Sequence, residues 1–256
     1  MVPALIHGKL SRDQENMEDL LTSNVFGILR YLPTADVILS FLSKASSLNG
    51  QCPLTSLSVQ SKVNFEFWPW LTAPNCAGCE PDVLLRIDSP AGGSYLVLIE
   101  AKYRSGKSSK ADLIDDSANF DTETSDEVKD QLAREWQQLD FLASKESRNS
   151  VLIYLTAHMS FPREEIHASE RELFARGQTE ATVCWLSWRH LAAIVPKNGG
   201  SELLQDLLLM LQRLNLTFFQ GFSPFRQFDW PKWHYSSEFQ WDQMRGLKTL
   251  DWSFKV

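Results

Sequence analysis

Three charged residues, Asp82, Glu100 and Lys102, lie at the ends of two neighbouring apolar segments. Strand side chains alternate between faces, so the Glu100 carboxylate and the Lys102 ammonium should lie side by side. A β-hairpin through the Ser-Pro-Ala-Gly-Gly-Ser turn at 89–94 would bring Asp82 to the same place. Two carboxylates beside a lysine suit a hard divalent cation next to a phosphate group.

The run Pro81-Asp82, a spacer and then Glu100-Ala101-Lys102 resembles the PD-(D/E)xK signature of restriction-endonuclease-like nucleases. The resemblance covers about 11–186 and implies metal-dependent hydrolysis of phosphodiester bonds. DNA is the substrate that we expect, and RNA is left open. The implied cofactor is Mg²⁺ or Mn²⁺, held by Asp82, Glu100 and the Ala101 backbone carbonyl. Lys102 would orient the attacking water and stabilise the developing charge.

Nucleases of this type often carry an acidic residue on the helix before the sheet. Apolar residues at helical spacing predict such a helix from Ser11, its cap, to about Tyr31. Glu18 is the best match for the acidic residue and would serve a second ion, with Glu15 as the alternative. Acidic side chains in a first turn also favour the helix dipole without any role at a site.

Four further residues are candidates for contact with the substrate. Arg104 and Lys107 follow the Glu-x-Lys strand in a polar segment, 103–124, and are placed to hold a nucleic-acid backbone. A solvated loop is the competing interpretation. Gln131 and Arg134 lie on the next predicted helix and match the residue types that related nucleases carry there, although either could equally face solvent.

Composition limits the function classes. The apolar fraction of 43% supplies a sizeable core, and we expect a cytoplasmic protein because no signal peptide or membrane-spanning run is visible. The four cysteines lack a second pair at zinc-finger distance, so free thiols are expected. The net charge of −7 is unfavourable for binding duplex DNA and suggests either a modest intrinsic affinity for DNA or a protein partner that delivers the DNA or activates the enzyme.

Strands alternating with helices predict an α/β fold, and the resemblance specifies a restriction-endonuclease-like mixed sheet flanked by helices. The predicted nuclease-like domain is 1–219. An aromatic-rich extension, 220–256, would pack on that domain or on a partner. We predict strands at 62–71, 82–88, 95–102, 151–156 and 182–186, and further helices at 36–48, 125–144, 163–176, 188–195 and 201–214. The strand at 151–156 is reached by a crossover that should make it parallel to its neighbour.

Two functions therefore stay open. The first is a DNA endonuclease, which by analogy belongs to prokaryotic restriction or antiviral defence and, if it cuts both strands, is favoured to act as a homodimer. The second is a non-catalytic subunit with the nuclease fold that binds or assembles a larger complex. Binding of a divalent metal that is lost in Asp82→Asn would separate them.

Overall fold

The computed structural model describes residues 2–9, 18–50, 52–74, 76–90, 93–103, 130–178, 181, 183–195 and 201–219. These residues form a five-stranded mixed sheet with helices on both faces, so the predicted α/β class is confirmed. They belong to a compact unit, Met1–Phe218, apart from Phe219. The predicted extension, 220–256, lies outside them. The strands are β1 (Lys62–Phe67), β2 (Val83–Ser89), β3 (Gly93–Ala101), β4 (Asn149–Thr156) and β5 (Val183–Ser187).

The order of the strands in the sheet follows their order in the chain. β1, β2 and β3 pair antiparallel, whereas β4 pairs parallel to β3 and β5 parallel to β4. The crossover that was predicted to make β4 parallel to its neighbour is thus confirmed. Val83 pairs with Ile99, and this register places Asp82 opposite Glu100 just beyond the last paired residues.

Each face of the sheet is covered by a different group of helices. Alternate residues such as Val83, Val97 and Ile153 pack against the helices that precede β1 and follow β5 in the chain. The intervening residues, such as Leu98, pack against the helices of the crossovers. The helices are α1 (Val2–Ile6), α2 (Glu18–Tyr31), α3 (Asp36–Leu42), α4 (Gln131–Glu146), α5 (Arg163–Ala175), α6 (Trp188–Ile194) and α7 (Glu202–Arg213), with a 3₁₀ turn at Pro53–Ser56.

Three predicted boundaries are wrong, and two of them have a clear physical reason. The helix at 36–48 ends at Leu42, because Ser46 instead exchanges two backbone hydrogen bonds with Trp185 of β5, of 2.9 and 2.7 Å. The strand at 62–71 ends at Phe67, because Trp68 adopts a left-handed conformation with φ +48°. α4 begins at Gln131, where Asp130 caps the helix, rather than at 125, which lies outside the described residues.

The two edges of the sheet differ in character. β1 alternates half-buried apolar residues with the exposed Lys62, Asn64 and Glu66. β5 is buried at every position, and the pairing of Ser46 with Trp185 covers part of its outer edge. No helix in the described part of the chain is long and apolar enough to cross a bilayer.

An ion-pair network ties the C-terminal end of α4 to β2. Arg86 donates to both carboxylate oxygens of Glu146 and, at 2.6 Å, to Glu66 of β1. Arg148 completes the network with bonds to Glu146 and Asp88. Because this anchors one end of α4 on the sheet, the helix is oriented with its first turn towards the ends of β2 and β3 that carry Asp82 and Glu100.

Candidate active site at the ends of β2 and β3

The structure brings Asp82, Glu100 and Lys102 together, as the sequence predicts. Glu100 and Lys102 lie on the same side of the chain, with Lys102 Nζ 2.6 Å from Glu100 Oε1. Asp82 Oδ2 accepts a hydrogen bond of 2.8 Å from the Ala101 N–H, across the hairpin. All three side chains are buried, with residue exposures of 3–7%. Burying charged groups costs free energy unless they are compensated. A buried cluster of charged side chains is therefore typical of a functional site.

Lys102 is held in place by its backbone and by its side chain. Its N–H donates to Leu155 O of β4 at 2.7 Å, and its carbonyl accepts from the indole N–H of Trp188 at 3.2 Å. Its ammonium also donates to Glu18 Oε1 at 3.1 Å. A lysine fixed this firmly has little rotamer freedom left, so its ammonium is preorganised beside the carboxylates.

Glu18 is the helix acid that lies at this site. It stands in the first turn of α2, and its second carboxylate oxygen accepts the Tyr103 N–H at 2.8 Å. Glu18 therefore bridges Lys102 and the backbone that follows β3. Glu15, the alternative candidate, lies outside the described residues, as does the predicted helix start at 11.

Gln131 and Glu135 extend the cluster from α4. The Gln131 amide group donates to Glu100 Oε1 and, at 2.9 Å, to Glu135 Oε1. Glu135 is 2% exposed, and its Oε2, like Gln131 Oε1, is buried and has no hydrogen-bond partner among the described residues. Glu135 is not among the site residues predicted from the sequence. The signal was present, because Glu135 is a carboxylate next to Leu132 and Trp136 on the apolar side of the helix.

Burial and the neighbouring carboxylates shift the protonation equilibria of the cluster. Burial and the neighbouring Glu100 carboxylate raise the pKa of Asp82 to about 7. Burial raises the pKa of Glu100, against the opposing effect of Lys102. Burial and Glu100 raise the pKa of Glu135 well above its usual range. Burial alone would lower the pKa of Lys102, but the Glu100 and Glu18 carboxylates outweigh it and raise that pKa, so Lys102 carries its proton.

The donor set fits a hard divalent cation. Fully ionised, four carboxylates would face one ammonium, and the unpartnered Glu135 oxygen shows that internal hydrogen bonds do not satisfy the cluster. Within the described residues, no group of three or more Asp, Glu, His or Cys side chains is arranged to hold a metal ion. Mg²⁺ does not need such a cage, because it commonly binds through one or two carboxylates, waters and substrate phosphates.

The remaining predicted residues have different outcomes. Gln131 reaches the site through Glu100, as described above. Arg134 lies half-buried on α4, where its charge acts on the Cys79 thiol, and it makes no ion pair with a described carboxylate. Arg104 and Lys107 lie outside the described residues. The four cysteines are free, and the raised pKa of Cys79, about 12 through burial and Glu135, keeps that thiol protonated.

Comparisons with other proteins give no family for this chain. No protein-family model, no curated protein and no solved structure matches it.

Proposed function

We propose that this chain is a metal-dependent nuclease of the PD-(D/E)xK type that hydrolyses phosphodiester bonds, with DNA as its substrate. The observation that carries the proposal is the buried cluster in which the Lys102 ammonium lies 2.6 Å from Glu100. Asp82 belongs to the same cluster, because it precedes the paired strand β2 and accepts the Ala101 N–H. The sheet order and the parallel crossover after β3 are compatible with a restriction-endonuclease-like fold, which is part of the proposal.

Asp82, Glu100 and the Ala101 carbonyl would hold Mg²⁺ or Mn²⁺, and Glu18 would serve a second ion. A bound divalent cation would supply Lewis acidity and neutralise charge on the phosphate. The raised pKa values of Asp82 and Glu100 support this assignment, because burial favours their protonated forms and a bound cation would offset the cost of ionising them.

The chain's own groups divide the remaining work. Lys102 keeps its proton and presents an ammonium that can orient a water and stabilise negative charge on the phosphate. Glu18 positions Lys102, and Gln131 fixes the Glu100 carboxylate through its amide N–H. The Lys102 backbone is held by hydrogen bonds to Trp188 and Leu155, which do not depend on the ammonium group that a substitution removes.

The test is cleavage of plasmid, linear duplex and single-stranded DNA with Mg²⁺ or Mn²⁺ by wild type, Asp82→Asn and Lys102→Ala. We expect Lys102→Ala to lower the rate by roughly 100-fold or more, as for other electrostatic groups aimed at developing charge. Lys145→Ala is the matched control. Lys145 lies on α4 with its ammonium 4.2 Å from the centroid of the Phe141 ring, so its removal should leave the rate unchanged. Full activity of Lys102→Ala would contradict the role of Lys102.

The second function, a non-catalytic binding or assembly subunit, is favoured by the net charge of −7. It is also favoured by the engagement of Lys102 with two carboxylates inside the protein. Titration with Mn²⁺ separates the two functions: the nuclease requires binding that Asp82→Asn weakens. If folded wild-type protein neither binds Mn²⁺ nor cuts any of the substrates, cleavage by the chain alone is rejected, and the second function is favoured over the first.

A further inference from the structure

Two exposed tryptophans stand on the segment that leads from β1 to Asp82. Trp70 is 66% exposed and Trp68 is 39% exposed. Trp68 follows β1 directly, and its N–H donates to the Asp82 carbonyl at 3.0 Å. Trp70 is only two residues away, so its Cα lies within roughly 7 Å of the Trp68 Cα. Both indoles are thus carried by backbone that is continuous with the candidate active site.

The backbone of Trp68 is strained. Its φ of +48° is in the left-handed region, which bulky side chains rarely adopt, and such outliers concentrate at functional sites. Its ring lies 5.7 Å from the ring of Phe67, which packs on the core of the sheet. A turn that needed only this backbone shape would be better served by glycine. The contact with Phe67 and the unusual backbone conformation together hold the exposed Trp68 indole in a defined place.

Trp70 is also held in a defined position. The indole lies against Gly78, where an added Cβ would be 2.7 Å from Trp70 Cζ2 and 3.0 Å from Cε2. Leu71 and Cys79 exchange two backbone hydrogen bonds that close this segment. The segment is in turn fastened to α4, because Gln138 donates to Ala77 O at 2.8 Å. α4 is the helix that carries Gln131 and Glu135 into the site.

We infer that Trp68 and Trp70 form a stacking platform for unpaired bases, which makes single-stranded polynucleotide the substrate class of the candidate active site. Exposed indoles fixed beside a phosphate-directed site can stack on bases whose faces are free. The bases of a duplex already stack on one another and do not offer their faces. Stacking adds affinity that does not come from basic side chains, so it would partly offset the unfavourable net charge of −7. The inference rests on the proposed nuclease function for the position of the phosphate.

The test measures binding rather than cleavage, so that it can fail independently of the nuclease. Fluorescence anisotropy in EDTA is recorded for labelled thymidine and uridine oligonucleotides, a duplex of the same length and an abasic oligonucleotide with the same number of phosphates. The proteins are full-length wild type, Trp70→Ala, Trp68→Ala and Trp70→Phe. Tyr31→Ala is the matched control, because Tyr31 is 74% exposed at the far end of α2, about 20 Å along the helix from Glu18.

Trp70→Ala should weaken binding of a single-stranded oligonucleotide roughly 5- to 150-fold, which corresponds to the usual range for one stacked base. Trp70→Phe should retain part of the affinity. Tyr31→Ala should bind the single strand as tightly as wild type does, and the abasic oligonucleotide should bind all of these proteins with the same affinity. Gly78→Ala tests the platform without changing either tryptophan. The added Cβ should displace the Trp70 indole and so weaken binding, while the backbone conformation of Gly78 is one that alanine can adopt.

Three results would overturn the inference. One is equal binding of the single strand by wild type and Trp70→Ala, as expected if a protein partner covers the indoles. Another is an equal loss on duplex and single strand, which would remove the preference for unpaired bases. The third is the absence of single-strand binding by wild type. Loss of cleavage in Lys102→Ala alongside unchanged binding in Trp70→Ala would leave the nuclease standing and the platform rejected.

Discussion

Asp82→Asn should stabilise the metal-free protein at pH 8. Asp82 is buried, and its pKa is raised from 3.8 to about 7 by burial and by Glu100. A raised carboxyl pKa means that the folded state gains stability from the proton below about pH 4 and loses it as the pH rises through 7. At 1.36 kcal/mol per unit, the ionised carboxylate costs the folded state up to about 4 kcal/mol at pH 8.

The asparagine variant does not titrate, and its carbonyl oxygen can still accept the Ala101 N–H. Its unfolding free energy in EDTA should therefore exceed that of wild type by up to about 4 kcal/mol at pH 8, or by about 10 °C in Tm for a chain of this size. At pH 4 the two proteins should be nearly equal. The measurement is urea and thermal unfolding of both proteins across this pH range.

Asp88→Asn is the matched control with the opposite sign. Asp88 is half-buried, and its hydrogen bonds from Arg148 and Ser94 hold its pKa below the usual range. Its contribution is present at pH 8 and is lost as the pH falls through the lowered pKa, so this variant should lose a little stability at pH 8 and none at very low pH. The reasoning is refuted if Asp82→Asn is no more stable than wild type at pH 8, or if its advantage is the same at pH 4.

Two further predictions concern α4. Glu135→Gln keeps an acceptor for Gln131 and should change the unfolding free energy by less than about 1 kcal/mol at pH 7, because burial raises the pKa of Glu135 and so favours the uncharged form that glutamine resembles. Glu135→Ala should cost roughly 2 kcal/mol in urea unfolding, and equal costs for both variants would argue against this role. Arg86→Met should cost roughly 1 kcal/mol, and more at low salt, because its bonds to Glu146 and Glu66 are partly exposed. Its cleavage rate should stay unchanged, and a selective loss of cleavage would contradict a purely structural network.

Local patterns were sufficient for much of the sheet. The hairpin between Asp82 and Lys102 was predictable because its apolar runs, its turn and the alternation of side chains are all written within about twenty residues. The same alternation placed Glu100 beside Lys102. The parallel pairing of β4 followed from the length of its crossover.

The features that escaped prediction depend on contacts between distant segments. The short α3 follows from the pairing of Ser46 with Trp185, more than a hundred residues away, which no local pattern encodes. Glu135 was passed over because a buried carboxylate on an apolar helix side makes sense only beside Glu100 and Gln131. Glu18 could be ranked above Glu15 only by motif likeness, whereas the structure shows its bonds to Lys102 and Tyr103.

The different edges of the sheet have a consequence for self-association. A strand with unpaired N–H and C=O groups is a template for another chain, and proteins avoid this with charges or covers. β1 carries Lys62 and Glu66 along its exposed side, which disfavours a second copy. β5 is Val-Cys-Trp-Leu-Ser, has no charge, and relies on Ser46 for protection. Local opening of the segment around Ser46 would expose the unpaired backbone groups of β5 to a second chain. Partial unfolding at this edge would therefore favour aggregation while the rest of the sheet is still folded.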